Sequence, residues 1–189
     1  MPIEIDFNNR KTLLIGIHLP SKLRTDNTER QFISRKTIKE IVRLENLCGH
    51  KNTVLVGDFN MNPFEDGMVE IDAFNAVMSV DIARKGSRKY SGRVYDYFYN
   101  PMWGHFGDIF DSPSGTYFYN ASDYKNKYYW NIFDQVLVRP EIIDNFDLNS
   151  LKIIESFDNE RSRTKLLTRR QSIKIDKSDH LPLYFKIEL

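Results

Sequence analysis

The sequence predicts an α/β layered domain. Three observations carry this: apolar residues alternate with polar ones at Ile3, Ile5 and Phe7, they recur at helical spacing between Glu29 and Leu47, and an unbroken apolar strand starts at Thr53. A period of two marks a half-buried strand, and a period near 3.6 marks a helix with one buried stripe. Strand, helix and strand in succession is the order of a domain whose helices cover a sheet.

Each element has its own signal. Asn8-Asn9-Arg10-Lys11 is a turn, and Thr12 to His18 reads as the returning strand. The helix over Glu29 to Leu47 buries Ile38, Ile41, Val42 and Leu47. Asp26, Asn27 and Thr28 are candidate N-caps, and Gly49 suits the position just past its end. After the Thr53 strand, a second helix is expected over Glu65 to Met78. Residues 84 to 131 are less regular, with a short strand at Thr116–Asn120. Strands return at Phe133–Val138, Leu151–Phe157 and Leu183–Ile187. Neither an internal repeat nor a Gly/Ser linker divides the chain, so residues 1–189 are expected to form one domain.

Composition narrows the classes. Of 189 residues, 41% are hydrophobic and 28% charged, which suits a soluble globular protein with a real core. No apolar run approaches the length of a membrane span. A net charge of +1 excludes a global basic field that would coat nucleic acid indiscriminately. The single cysteine, Cys48, excludes an internal disulfide framework and fits a reducing compartment. The start MPIEIDFNN lacks the basic and apolar regions of a signal peptide, so a cytoplasmic location is expected.

Chemistry concentrates at strand ends. In TVLVGDFNMNP, Thr53 to Pro63, a core strand runs into Asp58 and Asn60. Alternation puts Val54, Val56, Asp58 and Asn60 on one face and Leu55, Gly57 and Phe59 on the other. A carboxylate beside an apolar interior needs a partner or a metal. An Asx-turn explains the same residues without any function. His18 ends the strand Thr12–His18, with the small Gly16 leaving room beside it. Asp134 opens the strand Phe133–Val138 in line with Val136 and Val138. Ser178-Asp179-His180 precedes Pro182, which cannot donate to a sheet ladder, so this triplet belongs to a loop before the last strand. Taken singly, each is equally well a structural residue; such groups gathered at one sheet edge would make an active site.

The order IHLP, VGDFN, FDQVLV and SDH resembles the C-terminal part of the endonuclease/exonuclease/phosphatase superfamily, over nearly the whole chain. That family includes pancreatic-type deoxyribonucleases, apurinic endonucleases, neutral sphingomyelinases, deadenylases and inositol-phosphate 5-phosphatases. The resemblance implies a four-layer fold, two sheets of mixed strands packed as a sandwich and flanked by helices. It implies that Asp58 and Asn60 position the attacking water and that Asp134 orients His180. It further implies that His18 contacts the scissile phosphate and that Asp179 lies near a divalent metal, Mg²⁺ or Mn²⁺. His18 places the chain with the deoxyribonuclease, sphingomyelinase and phosphatase-like branches, because the apurinic-endonuclease branch generally lacks it.

By the same resemblance the family's domain begins earlier, with an Asn-bearing strand and a Gln-Glu pair that supplies the central metal ligand. No such segment occurs in this sequence, and nothing around Glu4 matches it. The expectation is therefore a C-terminal portion lacking its first strands, with an exposed sheet edge open to self-association or to an N-terminal partner. The expected activity is metal-dependent phosphodiester hydrolysis. A catalytically impaired remnant or binding module keeping the fold is the alternative, and a phosphomonoesterase acting on a small phosphorylated molecule is another. Carboxylates with little His or Cys suit Mg²⁺ better than zinc, for which no ligand cluster has the usual spacing.

Two features bear on substrate. Arg84, Lys85, Arg88, Lys89 and Arg93 form a run without an acidic residue, and nine of the ten tyrosines fall between Tyr90 and Tyr129, near Trp103 and Trp130. Basic and aromatic residues together grip a nucleic-acid backbone and stack its bases. A solvated loop with aromatic staples is the simpler account of them, and the same choice applies to a second basic stretch from Arg161 to Lys177.

Overall fold

The structure is a computed structural model and describes residues 2–7, 10–22, 25–107, 113–119, 128–159, 162–168, 172–174 and 178–188. The chain opens with β1 (Pro2–Phe7), β2 (Arg10–His18), α1 (Asn27–Cys48) and β3 (Thr53–Asp58). Next come α2 (Asp66–Val69), β4 (Ala76–Val77), α3 (Val80–Ala83), β5 (Ser87–Tyr90), β6 (Arg93–Asp96) and β7 (Phe98–Tyr99). A 3₁₀ turn at Pro101–His105 leads to β8 (Tyr117–Phe118), β9 (Trp130–Asn131) and β10 (Asp134–Val138). A second, Pro140–Asn145, precedes β11 (Phe146–Ile153), β12 (Ser156–Asn159), β13 (Ser162–Lys165) and β14 (Leu183–Ile187). The fold is mixed α/β, mostly strands with few helices.

The main sheet has the order β1-β2-β3-β10-β7-β4. β2 runs parallel to β3 in a register that sets His18 opposite Asp58, and β10 runs antiparallel to β3 with Asp134 opposite Asp58. Alternation sends the two faces of these strands into separate cores. Leu13, Ile15, Leu55, Leu137 and Phe59 pack under α1 around Ile41. Val54, Val136 and Val138 pack on the other side against Phe146, Leu151 and Ile153 of β11, with Phe185 of β14 beside them. Both faces of the sheet are therefore covered, which is why its central strands are apolar throughout.

α1 is the longest helix and the best marked in the sequence. The Asp26 side chain accepts from Glu29 N at 2.8 Å, and Gly49 closes the helix in the left-handed region (φ 76°) with its N–H on Glu45 O. Its buried residues are Arg30, Ser34, Ile41 and Glu45, with Ile38 and Cys48 partly buried beside them, so the expected stripe holds at Ile38 and Ile41 and fails at Val42, 37% exposed, and Leu47, 70% exposed. Glu45 is held by Arg139, which is 1% exposed, through Nε–Oε1 at 2.8 Å and an Nη2–Oε2 bond at 3.0 Å. The Arg139 guanidinium also donates to Tyr97 O and lies 3.9 Å over the Phe98 ring.

Other expectations need correction. The second helix over Glu65 to Met78 is a single turn, α2, followed by turns and β4; Phe74 and Ala76 are buried by that folded-back chain rather than by a helix face. The strand over Leu151–Phe157 breaks at Ile154 and Glu155, where Ile154 N donates to Pro182 O and Leu166 N donates to Glu155 O. Arg10 and Lys11 belong to β2 rather than to a turn, while Asn8 and Asn9 lie outside the described residues, as does Asn120 at the end of the expected Thr116 strand. No helix among the described residues is long and apolar enough to cross a membrane.

Candidate active site

Three neighbouring strands end level with one another. β2 stops at His18, β3 stops at Asp58 and β10 starts at Asp134, and the register lines up all three across the sheet. His18 Nε2 lies 3.9 Å from Asp58 Oδ2. Two carboxylates facing each other across antiparallel strands repel. Burial pushes the Asp58 carboxyl above its ordinary value, and the Asp134 charge adds to this, against the bond from Asn60 N and the nearby His180 and His18. Stability alone does not select such a pair.

Asp58 and Asn60 are both a turn and a pair. Asn60 sits in the left-handed region (φ 51°), its N–H donating to Asp58 Oδ1 at 2.7 Å in an Asx-turn. β3 ends before Asn60, so strand alternation does not bring these two side chains together; the turn does. The Asn60 amide donates to Asp58 Oδ2 and to Leu19 O, each at 2.8 Å, which leaves its carbonyl oxygen directed by two fixed bonds. Gly57 precedes them at φ 141°, where a Cβ would meet Ile17 O at 2.0 Å, so β3 reaches β2 closely only with glycine there.

His180 is placed from the far end of the chain. Leu181 N donates to Thr116 O, and Thr116 Oγ1 accepts from Phe133 N and Asp134 N, so one threonine ties the two segments together. The His180 Nδ1–H donates to Asp134 Oδ2 at 2.7 Å, which leaves Nε2 for substrate or water. Burial disfavours the imidazolium, but the Asp134 bond and the charges of Asp134, Asp58 and Asp179 outweigh it, and the His180 pKa is raised. Its ring lies 4.8 Å from that of Tyr117. Ser178 Oγ accepts from His180 N, and Ser178 and Asp179 are exposed beside it.

All six residues singled out from the sequence, His18, Asp58, Asn60, Asp134, Asp179 and His180, line one cleft of about 1090 Å³. Lys22, Arg30, Tyr117, Tyr119, Tyr128 and Tyr129 line it too. The tyrosine-rich segment therefore divides: Tyr97 and Tyr99 are core residues, while four later tyrosines face the cleft. The basic run does not reach it. Arg84 is paired with Asp144 at 2.7 Å, Arg88 and Lys89 sit on the β5–β6 hairpin, and none lines the cleft. Arg161, Arg169, Arg170 and Lys177 of the second basic stretch lie outside the described residues.

Thr116 and the cationic pair Lys22 and Arg30 were not legible as site residues. Nor was a second cluster at the opposite end of the sheet, where Glu4, Cys48 and His50 bring one ligand atom each within 4.8 Å of one another. There Asn52 N donates to His50 Nδ1, so the imidazole proton sits on Nε2 and donates to Glu4 Oε1 at 3.2 Å. A metal on Nε2 would push that proton onto Nδ1, against the Asn52 N–H, so the cluster as built is a hydrogen-bonded one.

No protein-family model matches the chain, and no curated protein matches it significantly. Among solved structures, a crystal structure of a functionally unknown conserved protein from Enterococcus faecalis V583 is similar at a TM-score of 0.42 and 17% identity. The match takes in 95% of this chain and 51% of that one, so the chain spans about half of that protein's length.

Proposed function

We propose that the protein is a metal-dependent phosphodiester hydrolase. The observation that carries this reading is the row His18, Asp58, Asp134, level on three adjacent strands with His180 bonded onto its end. In the reaction a water attacks phosphorus, the P–O bond to the leaving group breaks, and the leaving oxygen takes up a proton. Asp58 and Asn60 hold the water, and His18 donates to a non-bridging oxygen as charge grows there. Asp134 keeps His180 in the Nδ1–H tautomer and favours its charged form, so Nε2 can offset charge on the phosphoryl group or move a proton.

The donor set suits a hard cation. Asp179 is an exposed carboxylate at the cleft, and Asp58 and Asp134 add negative charge that a cation would relieve. Among the described residues no three carboxylate or imidazole ligand atoms of the cleft come within 4.8 Å of one another, so an ion held at Asp179 would have to keep most of its waters. Mg²⁺ or Mn²⁺ bound there would polarise the phosphoryl oxygen. The sparse ligand set also favours a second reading, a catalytically impaired module that keeps the cleft. The proposed architecture is a sandwich of two sheets flanked by helices, supported by the packing of β11 and β14 on one face of the main sheet and α1 on the other.

The test is hydrolysis of bis(p-nitrophenyl) phosphate with Mg²⁺ or Mn²⁺, beside p-nitrophenyl phosphate. Turnover of the diester that is lost in Asp58→Asn and His180→Ala supports the hydrolase. Faster turnover of the monoester selects a phosphomonoesterase, and no turnover of either selects the impaired module.

A further inference from the structure

The lining of the cleft is chemically uneven in a way that bears on substrate. Its described residues include no Leu, Ile, Val or Met, so its apolar surface is aromatic. Tyr117 stands between Phe133, at 5.2 Å and 20°, and Tyr119, at 6.2 Å and 18°, so three rings form a stacked ladder. One side of that ladder adjoins the reacting groups through His180. Tyr128 and Tyr129 bring two more rings, 64% and 48% exposed, whereas the core tyrosines Tyr97 and Tyr99 are 8% and 6% exposed. Lys22, 4.9 Å from the Phe133 ring centre, completes the wall.

We infer that the cleft takes a strand of nucleic acid, with the base next to the scissile phosphate stacked on the Tyr117–Tyr119 ladder. This rests on the phosphodiester-hydrolase reading of the same cleft. Exposed aromatic rings in a groove form a sequence-tolerant stacking platform, because every base presents a π-face. An acyl chain would need an aliphatic wall, and the described lining offers none. A multiply phosphorylated small molecule would need an excess of cations, yet the described cations of the cleft, Lys22 and Arg30, share Glu65 and face Asp26, Asp58, Asp134 and Asp179. Stacking, with one phosphate at a time beside the acidic row, is what the lining offers.

The experiment compares a thymidine octamer with an octamer of abasic tetrahydrofuran nucleotides, binding to the Asp58→Asn protein in Mg²⁺. The thymidine octamer is expected to bind roughly 5- to 150-fold more tightly, the range for one stacked base. Tyr119→Leu is expected to remove most of that preference and Tyr119→Phe to keep it, the second variant showing that a lost preference reflects the ring and not a lost fold. Equal affinity for the two octamers, or binding of sphingomyelin vesicles in preference to both, overturns the inference. Base-independent binding alongside turnover of the small diester overturns the substrate class and leaves the hydrolase standing. Base-dependent binding without any turnover supports the stacking site and overturns the hydrolase.

Discussion

Asp134 serves two neighbours at once: its Oδ2 accepts from His180 Nδ1 at 2.7 Å, and its strand position faces Asp58 directly across the β3–β10 ladder. The carboxylate that orients the imidazole is thus also the charge that makes Asp58 harder to ionise. An imidazolium at His180 offsets both. A change at Asp134 therefore acts on both Asp58 and His180.

Asp134→Asn should lower the His180 pKa, because the bonded opposite charge that favours imidazolium is removed. The sign for stability follows. A histidine raised in the folded state stabilises fully below its unfolded value of about 6.5 and loses that contribution as pH rises through the folded value. The variant should therefore lose stability mainly on the acid side of that window. An NMR titration of His180 in metal-free protein, read beside urea midpoints at several pH values, checks both; an unchanged or higher pKa in the variant would refute the pairing.

Glu45→Ala should destabilise the fold by about 3–5 kcal/mol, since it leaves the Arg139 guanidinium buried without its carboxylate. The double variant Glu45→Ala with Arg139→Met should recover part of the loss, because no unpaired charge then remains. Urea unfolding of the two proteins measures the difference.

Gly57→Ala should disrupt the site without touching a polar group. Its backbone at φ 141° disfavours any side chain, and the new methyl would displace Ile17 from β3. We expect a lower melting temperature together with altered His18 and His180 chemical shifts, as the row of strand ends loses its alignment. A variant as stable as the parent would show that β2 can move aside freely.

Mg²⁺ should bind weakly in the absence of substrate, and Asp179→Asn should weaken it further. Among the described residues no three ligating groups of the cleft stand close enough together to replace its waters. Titration with Mn²⁺, followed by its effect on water relaxation, reads the affinity directly. Tight binding unaffected by Asp179→Asn would place the ion elsewhere.

The edge strand β1 should mediate association. Among the described residues it pairs with β2 alone, and Ile3 and Ile5 are 45% and 37% exposed. Sedimentation should show concentration-dependent association that Ile5→Lys reduces, and a monomer at all concentrations would exclude this edge as an interface.

Much of the local structure was written in the sequence. The apolar runs Leu13 to Ile17 and Val54 to Val56 depend only on neighbours along the chain, and so do the Asp26 cap and the Gly49 stop. Polar side chains at the ends of apolar strands marked His18, Asp58 and Asp134, because an apolar run explains its own residues and not the carboxylate or imidazole that ends it. Periodicity failed at Val42 and Leu47, which are apolar but lie off the face that α1 turns to the sheet. It failed again over Glu65 to Met78, where burial by a folded-back chain imitates a helical stripe.

What only the tertiary structure decided is who meets whom. The Asp134–His180 bond spans 46 positions and the Glu45–Arg139 pair spans 94, and no local period encodes a partner at such distances. The tyrosines between Tyr90 and Tyr129 look alike in the sequence, yet Tyr97 and Tyr99 fill the core while Tyr117 and Tyr119 face the cleft. Strand order and register made that choice, since they fix which of two chemically equal rings finds apolar neighbours and which is left facing water.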